Sequence, residues 1–181
     1  MRVITGTHKG RKLMTLEGRD VRPTTDMVKE AMFSMIQFDI DSANVLDLFC
    51  GSGQLGIEAI SRGAAKVTFI DFSKESVAVT RQNLLNLKLE KQGSVAVMDS
   101  ISFLKNCRDK FDIALLDPPY EQGMIAKALP ILATKMKSHG TIVCESAASE
   151  QLPAEVDGFT IEKERKYGKI KLTVYRKAEE E

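Results

Sequence analysis

The residues best suited to chemistry are Asp117-Pro118-Pro119-Tyr120, which directly follow the apolar run 111–116. That run predicts a buried parallel strand, so the tetrapeptide is expected at the carboxyl end of a sheet, where open α/β folds bind their ligands. Two consecutive prolines lack backbone N–H groups and restrict φ, so the turn should be rigid. Its carboxylate, carbonyl oxygens and aromatic ring could bind a planar group with an exocyclic NH₂, such as a nucleobase. Asp-Pro-Pro also occurs in plain turns at strand ends, so the tetrapeptide alone does not establish this chemistry.

A second motif lies about seventy residues upstream, where the apolar segment 45–49 is followed by Gly51-Ser52-Gly53. A helical pattern then runs to Gly63, which is a typical residue just after a helix end. Strand, glycine-rich turn and helix form the arrangement that a nucleotide-binding loop requires. Gly51 and Gly53 let the backbone approach a ligand closely, and the helix N-terminus adds partial positive charge.

The glycine spacing is compatible with two ligands. Gly51, Gly53 and Gly56 match the dinucleotide fingerprint, and Asp71 ends the next predicted strand about twenty residues on. However, Asp47 precedes the glycine turn, where an ammonium group would be favoured and a pyrophosphate would not, and Asp99 ends a third strand near the expected adenine edge. Four acids at strand ends suit a cationic sulfonium amino acid better than an anionic dinucleotide, so we favour S-adenosylmethionine over NAD.

The whole chain resembles the bacterial 16S rRNA guanine-N2 methyltransferase family, a class I S-adenosylmethionine-dependent family. The segments that support the resemblance, in chain order, are 2–6, 10–13, 22–26, 47–56, 57–63, 117–120 and 167–168. The chain departs from the family pattern at Cys50 and Gln54, where small residues are more usual, and at Asp71, where Glu is commoner.

The resemblance implies methylation of the exocyclic N2 amine of a specific guanine in 16S rRNA, with a small-subunit (30S) particle or assembly intermediate as the partner. The expected catalytic residues are Asp117, Pro118, Pro119 and Tyr120. The expected residues for binding S-adenosylmethionine are Asp47, Gly51, Ser52, Gly53, Asp71 and Asp99. Asp71 is expected on the ribose, Asp99 near the adenine amine, and Asp47 near the ammonium group, directly or through water.

Composition agrees with a single globular enzyme. A chain of 181 residues with 43% hydrophobic residues can form one α/β domain. No stretch approaches the roughly 18 consecutive apolar residues of a membrane span, and no signal peptide is recognisable. Cys50, Cys107 and Cys144 lack metal-ligand spacing, so we expect reduced thiols, no metal site and a cytoplasmic location. Nothing in the pattern suggests an obligate dimer, so we expect a monomer.

The net charge is only +1, but the positive charge is concentrated at the two ends. Residues 1–25 contain six basic and two acidic residues, and residues 163–177 contain seven basic residues and one acidic residue. Such clusters flanking a nucleobase site are expected to contact phosphates. The residues predicted to bind RNA are Arg2, Lys9, Arg11, Lys12, Arg22, Lys169 and Lys171.

The elements that must position these residues alternate between strands and helices. Strands are predicted near 45–48, 67–71, 94–98, 111–117 and 140–145, with helices over 26–38, 73–87, 100–106 and 123–137. Residues 159–166 and 169–177 predict a closing antiparallel hairpin. We therefore expect a Rossmann-like, mostly parallel seven-stranded sheet. Residues 1–181 are expected to form one methyltransferase domain, with 1–25 as a basic N-terminal extension and 26–181 as the catalytic core.

Two other functions remain open at this stage. One is N6-adenine methylation of DNA, which uses the same Asp-Pro-Pro-Tyr chemistry, although no inserted target-recognition domain is evident. The other is a non-catalytic RNA-binding module that retains a Rossmann-like fold. The presence of all four strand-end acids and Tyr120 favours an enzyme.

Overall fold

The computed structural model describes residues 1–16, 26–120 and 122–178. Its helices are α1 (Asp26–Met35), α2 (Gln54–Ser61), α3 (Lys74–Asn86), α4 (Ser100–Asn106) and α5 (Met124–Ala133). Its strands are β1 (Asn44–Asp47), β2 (Lys66–Asp71), β3 (Gly93–Val97), β4 (Phe111–Leu116), β5 (Met136–Ala147), β6 (Glu155–Val156), β7 (Phe159–Tyr167) and β8 (Ile170–Lys177). No helix in these ranges is long and apolar enough to cross a membrane.

The strands form one sheet in the order β3-β2-β1-β4-β5-β8-β7-β6. The first five are parallel, whereas β8, β7 and β6 run antiparallel to their neighbours. Val45 of β1 pairs with Val67 of β2 on one side and Ile113 of β4 on the other. The carboxyl ends of these strands therefore meet at one edge, which confirms the predicted parallel core with an antiparallel terminal hairpin.

The alternation of side chains along the strands produces a core on each face of the sheet. Val45 and Phe69 face a cluster that includes Ile57 of α2, while Leu46 and Ile70 face a second cluster on the opposite side. The first cluster packs α1, α2 and α3, and the second packs α4 and α5. This is the doubly wound arrangement expected when parallel strands are joined by helices.

The sequence pattern was wrong about two details of the sheet. The described part of the chain contains eight strands and not seven, because Glu155–Val156 pairs with the start of β7. The fifth helix ends at Ala133, and β5 begins at Met136 because Met136 pairs with Phe111 of β4. Both differences depend on pairing with distant residues, which local periodicity does not report.

The N-terminal segment, residues 1–16, packs onto the first core cluster of the α/β fold. Arg2 pairs with Lys12 in an antiparallel bridge, and Val3 and Leu13 are buried in the first core cluster. The carboxylate of Glu58 on α2 accepts hydrogen bonds from the backbone N–H groups of Ile4 at 2.9 Å and Thr5 at 3.0 Å. The segment is thus anchored through its backbone to a buried acid.

Candidate active site

A cavity of about 610 Å³ opens at the carboxyl edge of the parallel strands. Of the four acids predicted at strand ends, Asp71, Asp99 and Asp117 line it. Gly51, Ser52, Pro119 and Tyr120 also line it, so segments that are far apart in the sequence converge here. The described residues that line the cavity do not include Asp47, Gly53 or Pro118.

The glycine loop, residues 50–53, uses its two glycines in different ways. Both have positive φ, 53° at Gly51 and 85° at Gly53, a region that side chains disfavour. A Cβ at Gly51 would meet nothing within 4 Å, so this residue presents bare backbone to the cavity. A Cβ at Gly53 would lie 2.8 Å from Cγ2 of Thr80. Gly53 is therefore required for packing against α3.

Asp71 at the end of β2 holds the glycine loop from the neighbouring strand. Its Oδ2 accepts a hydrogen bond from the backbone N–H of Gly51 at 2.9 Å, and its Oδ1 accepts one from Ser73 N at 2.9 Å. A carboxylate has about four acceptor positions, so both oxygens can also accept from a ligand hydroxyl. The position suits the ribose contact that the sequence predicts.

Asp99 lies at the cavity rim and caps α4. Its Oδ2 accepts hydrogen bonds from the backbone N–H of Ser102 at 3.0 Å and from the Ser102 hydroxyl at 3.2 Å. The side chain is exposed, so its remaining acceptor positions are accessible from the cavity. The capping interaction keeps the carboxylate in a defined orientation.

Asp47 occupies a different position from the one expected of a direct ligand. It is only 1% exposed, and its carboxylate accepts a hydrogen bond from Gly56 N at 3.0 Å in the first turn of α2. Burial, with a further contribution from the charge of Asp71, raises the pKa of Asp47 to about 7, although the Gly56 hydrogen bond opposes the shift. The residue supports the first turn of α2, which directly follows the glycine loop, because strand alternation places Asp47 on the same face of the sheet as Val45, where Ile57 of α2 packs.

The Asp-Pro-Pro-Tyr turn contributes three residues to the cavity wall, while Pro118 is buried behind them. The hydroxyl of Tyr120 donates a hydrogen bond to Oε1 of Glu145 at 2.8 Å. Glu145 lies near the end of β5, is only 2% exposed and lines the same cavity. Sequence analysis missed this acid, although the apolar run 141–144 before it is the same signal that identified the other strand-end acids.

Apolar residues that sequence analysis did not select complete the cavity. Phe72 and Met98 follow β2 and β3 and are 67% and 39% exposed, so they offer uncovered apolar surface beside Asp71 and Asp99. Met1 and Leu16 bring the N-terminal segment to the cavity wall. The sequence does carry a signal for Phe72, because it is an aromatic residue directly after a predicted strand-end acid. Nothing local in the sequence connects Met1 with the cavity.

The residues predicted to bind RNA do not share one environment. Lys9, Lys12 and Lys169 are exposed. Arg2 and Arg11 are also exposed and are partly engaged, Arg2 with Asp26 at 3.0 Å and Arg11 with the carbonyl oxygen of Asn86 at 3.3 Å. Arg22 lies outside the described residues.

Lys171 does not fit its predicted role. It is only 3% exposed, and its ammonium group donates to the carbonyl oxygen of Glu150. β8 is buried continuously from Lys171 to Tyr175, so Lys171 lies inside the structure although the residues around it in the sequence are highly charged. Its position therefore does not support an RNA contact.

Within the described residues, no group of three or more histidine, cysteine or acidic residues is arranged to hold a metal ion. The polar groups that line the cavity are carboxylates, backbone atoms and uncharged polar side chains such as those of Ser52 and Gln54, with apolar side chains beside them. Such a surface can bind an organic ligand that has hydroxyl and amino donors and a flat ring.

The parallel core, the antiparallel terminal hairpin, the glycine loop after β1 and the acid after β2 together define the α/β methyltransferase fold. Among solved structures, the Escherichia coli yhhF protein superposes with a TM-score of 0.89, at 32% identity over 99% of each chain. The Haemophilus influenzae HI0767 structure gives a TM-score of 0.83, at 32% identity over 98% of each chain.

Residues 1–176 match the family model described as "Conserved hypothetical protein 95", and the chain belongs to this family. Two proteins named ribosomal RNA small subunit methyltransferase D are similar over nearly the full length. The Haemophilus influenzae protein is 34% identical, covering 97% of this chain and 93% of its own. The Escherichia coli K12 protein is 33% identical, covering 98% and 90%. The family resemblance that the sequence indicates is confirmed.

Proposed function

We propose that this protein is an S-adenosylmethionine-dependent methyltransferase that modifies the exocyclic N2 amine of a guanine in 16S rRNA. The observation that supports this most directly is the convergence of Asp71, Asp117 and Tyr120 on one cavity. It combines an acid suited to a ribose with an acid and an aromatic ring suited to a nucleobase amine. The names of the relatives support ribosomal RNA as the substrate class.

The cavity fits the proposed cofactor. The bare backbone of Gly51 leaves room for close approach, and Asp71 and Asp99 can accept hydrogen bonds from ribose hydroxyls and an adenine amine. Phe72 and Met98 supply apolar surface for a flat ring. Asp47 would act through the first turn of α2, which directly follows the glycine loop.

We propose that Asp117, Pro119 and Tyr120 form the amine site. The target base stacks on Tyr120, and its amino group donates hydrogen bonds to the Asp117 carboxylate and to a proline carbonyl oxygen. These two acceptors orient the amine so that its lone pair is available for reaction. Positioning of this kind can contribute roughly 7–11 kcal/mol to catalysis.

When bound beside Asp71 and Asp99, S-adenosylmethionine would supply an electrophilic methyl group to the guanine amine that Asp117 and Tyr120 hold. The N2 proton then passes to Asp117 or to water. Asp117 need not be a strong base, because the amine becomes acidic only as its new bond forms. The chain's principal contribution is therefore a fixed and partly desolvated pocket.

A base paired within a helix cannot reach this cavity, so the target guanine must be unpaired or flipped out. Exposed basic residues of the N-terminal segment and the β7–β8 hairpin, such as Lys9 and Lys169, are proposed to contact the surrounding phosphates. We further propose that the chain acts as a single methyltransferase domain, as a monomer, on a small-subunit particle.

The proposal is tested by transfer of radiolabelled methyl groups to unmodified 30S particles, free 16S rRNA and duplex DNA in parallel. Digestion of labelled ribosomal RNA to N2-methylguanosine supports the assignment. Label confined to DNA adenine would support the alternative N6-adenine activity. Absence of label from every substrate, with cofactor binding intact, would favour a non-catalytic RNA-binding module.

A further inference from the structure

Glu145 is a buried acid beside the proposed amine site that the mechanism above does not use. β4 and β5 are parallel, and their register pairs Leu116 with Cys144. Asp117 directly follows Leu116, and Glu145 directly follows Cys144. Neighbouring strands in a sheet lie about 5 Å apart. Both carboxylates therefore belong to the same part of the cavity wall.

The interaction with Tyr120 orients Glu145 at the cavity wall. Oε1 of Glu145 accepts from the Tyr120 hydroxyl at 2.8 Å, while the residue is 2% exposed. A carboxylate has about four acceptor positions, so a carboxylate that already has a protein partner can also accept from a ligand donor. Because Tyr120 is the proposed stacking surface for the base, Glu145 lies towards the edge of that base.

The chemistry of purine edges gives such an acid a definite role. Guanine presents two adjacent kinds of donor, the N1–H and the N2 amine, whereas adenine presents an acceptor at N1. A carboxylate removed from water is stabilised by a donor and destabilised by an acceptor. Two neighbouring carboxylates thus match guanine and not adenine.

We propose that Glu145 is a specificity-determining residue that accepts the N1–H of the target guanine while Asp117 accepts from N2. This inference rests on the proposed function. A site built to accept a hydrogen bond strongly rejects an analogue that lacks the donor, because the buried acceptor is then left without its partner. Glu145 therefore selects guanine over bases with an unprotonated N1.

The test uses 2-aminopurine, which retains the 2-amino group but has no N1–H. Semi-synthetic 16S rRNA carries guanine, 2-aminopurine or 6-thioguanine at the nucleotide that the wild-type protein methylates, and is assembled into 30S particles. 6-Thioguanine retains the N1–H and changes atom 6, so it controls for the missing carbonyl oxygen. The wild-type protein is expected to prefer guanine over 2-aminopurine by about 100-fold in kcat/KM and to accept 6-thioguanine.

Two variants separate base recognition from positioning of Tyr120. E145Q replaces an acceptor with an amide that can donate to an unprotonated N1, so the preference for guanine should fall to within about tenfold. Tyr120→Phe removes the hydrogen bond to Glu145 but leaves the carboxylate, so kcat/KM should fall for both bases with their ratio retained. If E145Q and Tyr120→Phe lowered the preference for guanine over 2-aminopurine by the same factor, Glu145 would act only through Tyr120. That result would overturn the proposal.

The wild-type measurement alone can also overturn this inference, whatever the folding of the variants. Equal methylation of guanine and 2-aminopurine by the wild-type protein would exclude recognition of N1–H. Retention of the full preference by E145Q, with unchanged cofactor affinity and melting temperature, would exclude Glu145. Either result leaves the formation of N2-methylguanosine intact. Failure of the proposed function is instead recognised by the absence of that product with guanine itself.

Discussion

The carboxylate of Asp71 accepts a hydrogen bond from the backbone N–H of Gly51 at 2.9 Å, so the end of β2 holds the loop that follows β1. The same side chain lines the cavity. One residue therefore shapes the glycine loop and faces the proposed cofactor. Its substitution should affect both properties.

Asp71→Asn should weaken S-adenosylmethionine binding by tenfold or more and lower the free energy of unfolding by about 1–3 kcal/mol. The amide has one acceptor oxygen, whereas the carboxylate accepts from both Gly51 N and Ser73 N. Calorimetric titration and urea unfolding measure the two effects. Asp99→Asn is the matched control, because asparagine also caps helices and should leave stability nearly unchanged. Equal effects of the two substitutions on stability would contradict this account.

Asp117→Ala should abolish methyl transfer while leaving cofactor affinity within a few-fold of wild type. The carboxylate is proposed to orient the amine and not to hold the cofactor. Single-turnover transfer to 30S particles and equilibrium cofactor binding measure the two quantities, with the exposed Asp109→Ala as the control. Substantial transfer by Asp117→Ala would show that the amine site is misassigned.

Lys169→Gln and Lys171→Gln should have different consequences although they are two residues apart. Lys169 is exposed, so its loss should reduce the slope of log affinity against log salt for RNA by about 1. Lys171 is buried and bonded to the carbonyl oxygen of Glu150, so its loss should lower stability and leave the salt slope unchanged. An unchanged slope for Lys169→Gln would remove this residue from the RNA-contact surface.

Asp47→Asn should change how stability depends on pH. The ordinary pKa of an Asp side chain is about 3.8, and below this pH Asp47 is protonated in both the folded and the unfolded state. Between pH 3.8 and the raised pKa of about 7, Asp47 releases its proton only in the unfolded state. Wild-type stability relative to the variant should therefore fall by about 1.4 kcal/mol per pH unit across this window and level off above it. Urea unfolding at a series of pH values measures the difference. A constant difference would mean that the carboxylate is not buried as described.

Glu58→Gln should destabilise the protein by about 3–5 kcal/mol, because it removes the buried carboxylate that pairs with the buried ammonium group of Lys29. The Lys29 Nζ to Glu58 Oε2 distance is 3.9 Å, and both side chains are at most 1% exposed. Burial already lowers the pKa of Lys29 despite the opposing effect of Glu58.

Glu58 also pairs with Arg62, whose Nε lies 3.0 Å from Glu58 Oε1. The matched control for Glu58→Gln is Glu30→Gln, since Glu30 is an exposed partner of Arg62 and its loss should cost less than about 1 kcal/mol. Hydrogen exchange at the Ile4 and Thr5 amides provides a local readout, because both donate to Glu58. Unchanged exchange at these amides in Glu58→Gln would refute the proposed anchoring of the N-terminal segment.

Local features of the sequence were sufficient to predict the parallel core, the glycine loop and the Asp-Pro-Pro-Tyr turn. Each depends on residues within one turn or one strand, where periodicity and the restrictions of glycine and proline act directly. Asp71 and Asp99 were predicted to lie at the site because both directly follow or end short apolar strands, and parallel strands bring their carboxyl ends to one edge.

Only the tertiary structure decided which of these residues face the cavity. Asp47 and Lys171 are residue types expected in ligand contacts, yet both are buried, because Asp47 lies on the face of β1 that packs against α2 and Lys171 lies in a stretch of β8 that is buried throughout. Glu145 meets Tyr120, and Met1 and Leu16 reach the cavity, through strand order and packing between distant segments. Residue types determined which chemistry was available to this protein. Long-range pairing determined where that chemistry could act, because side-chain contacts depend on register and packing that local sequence does not encode.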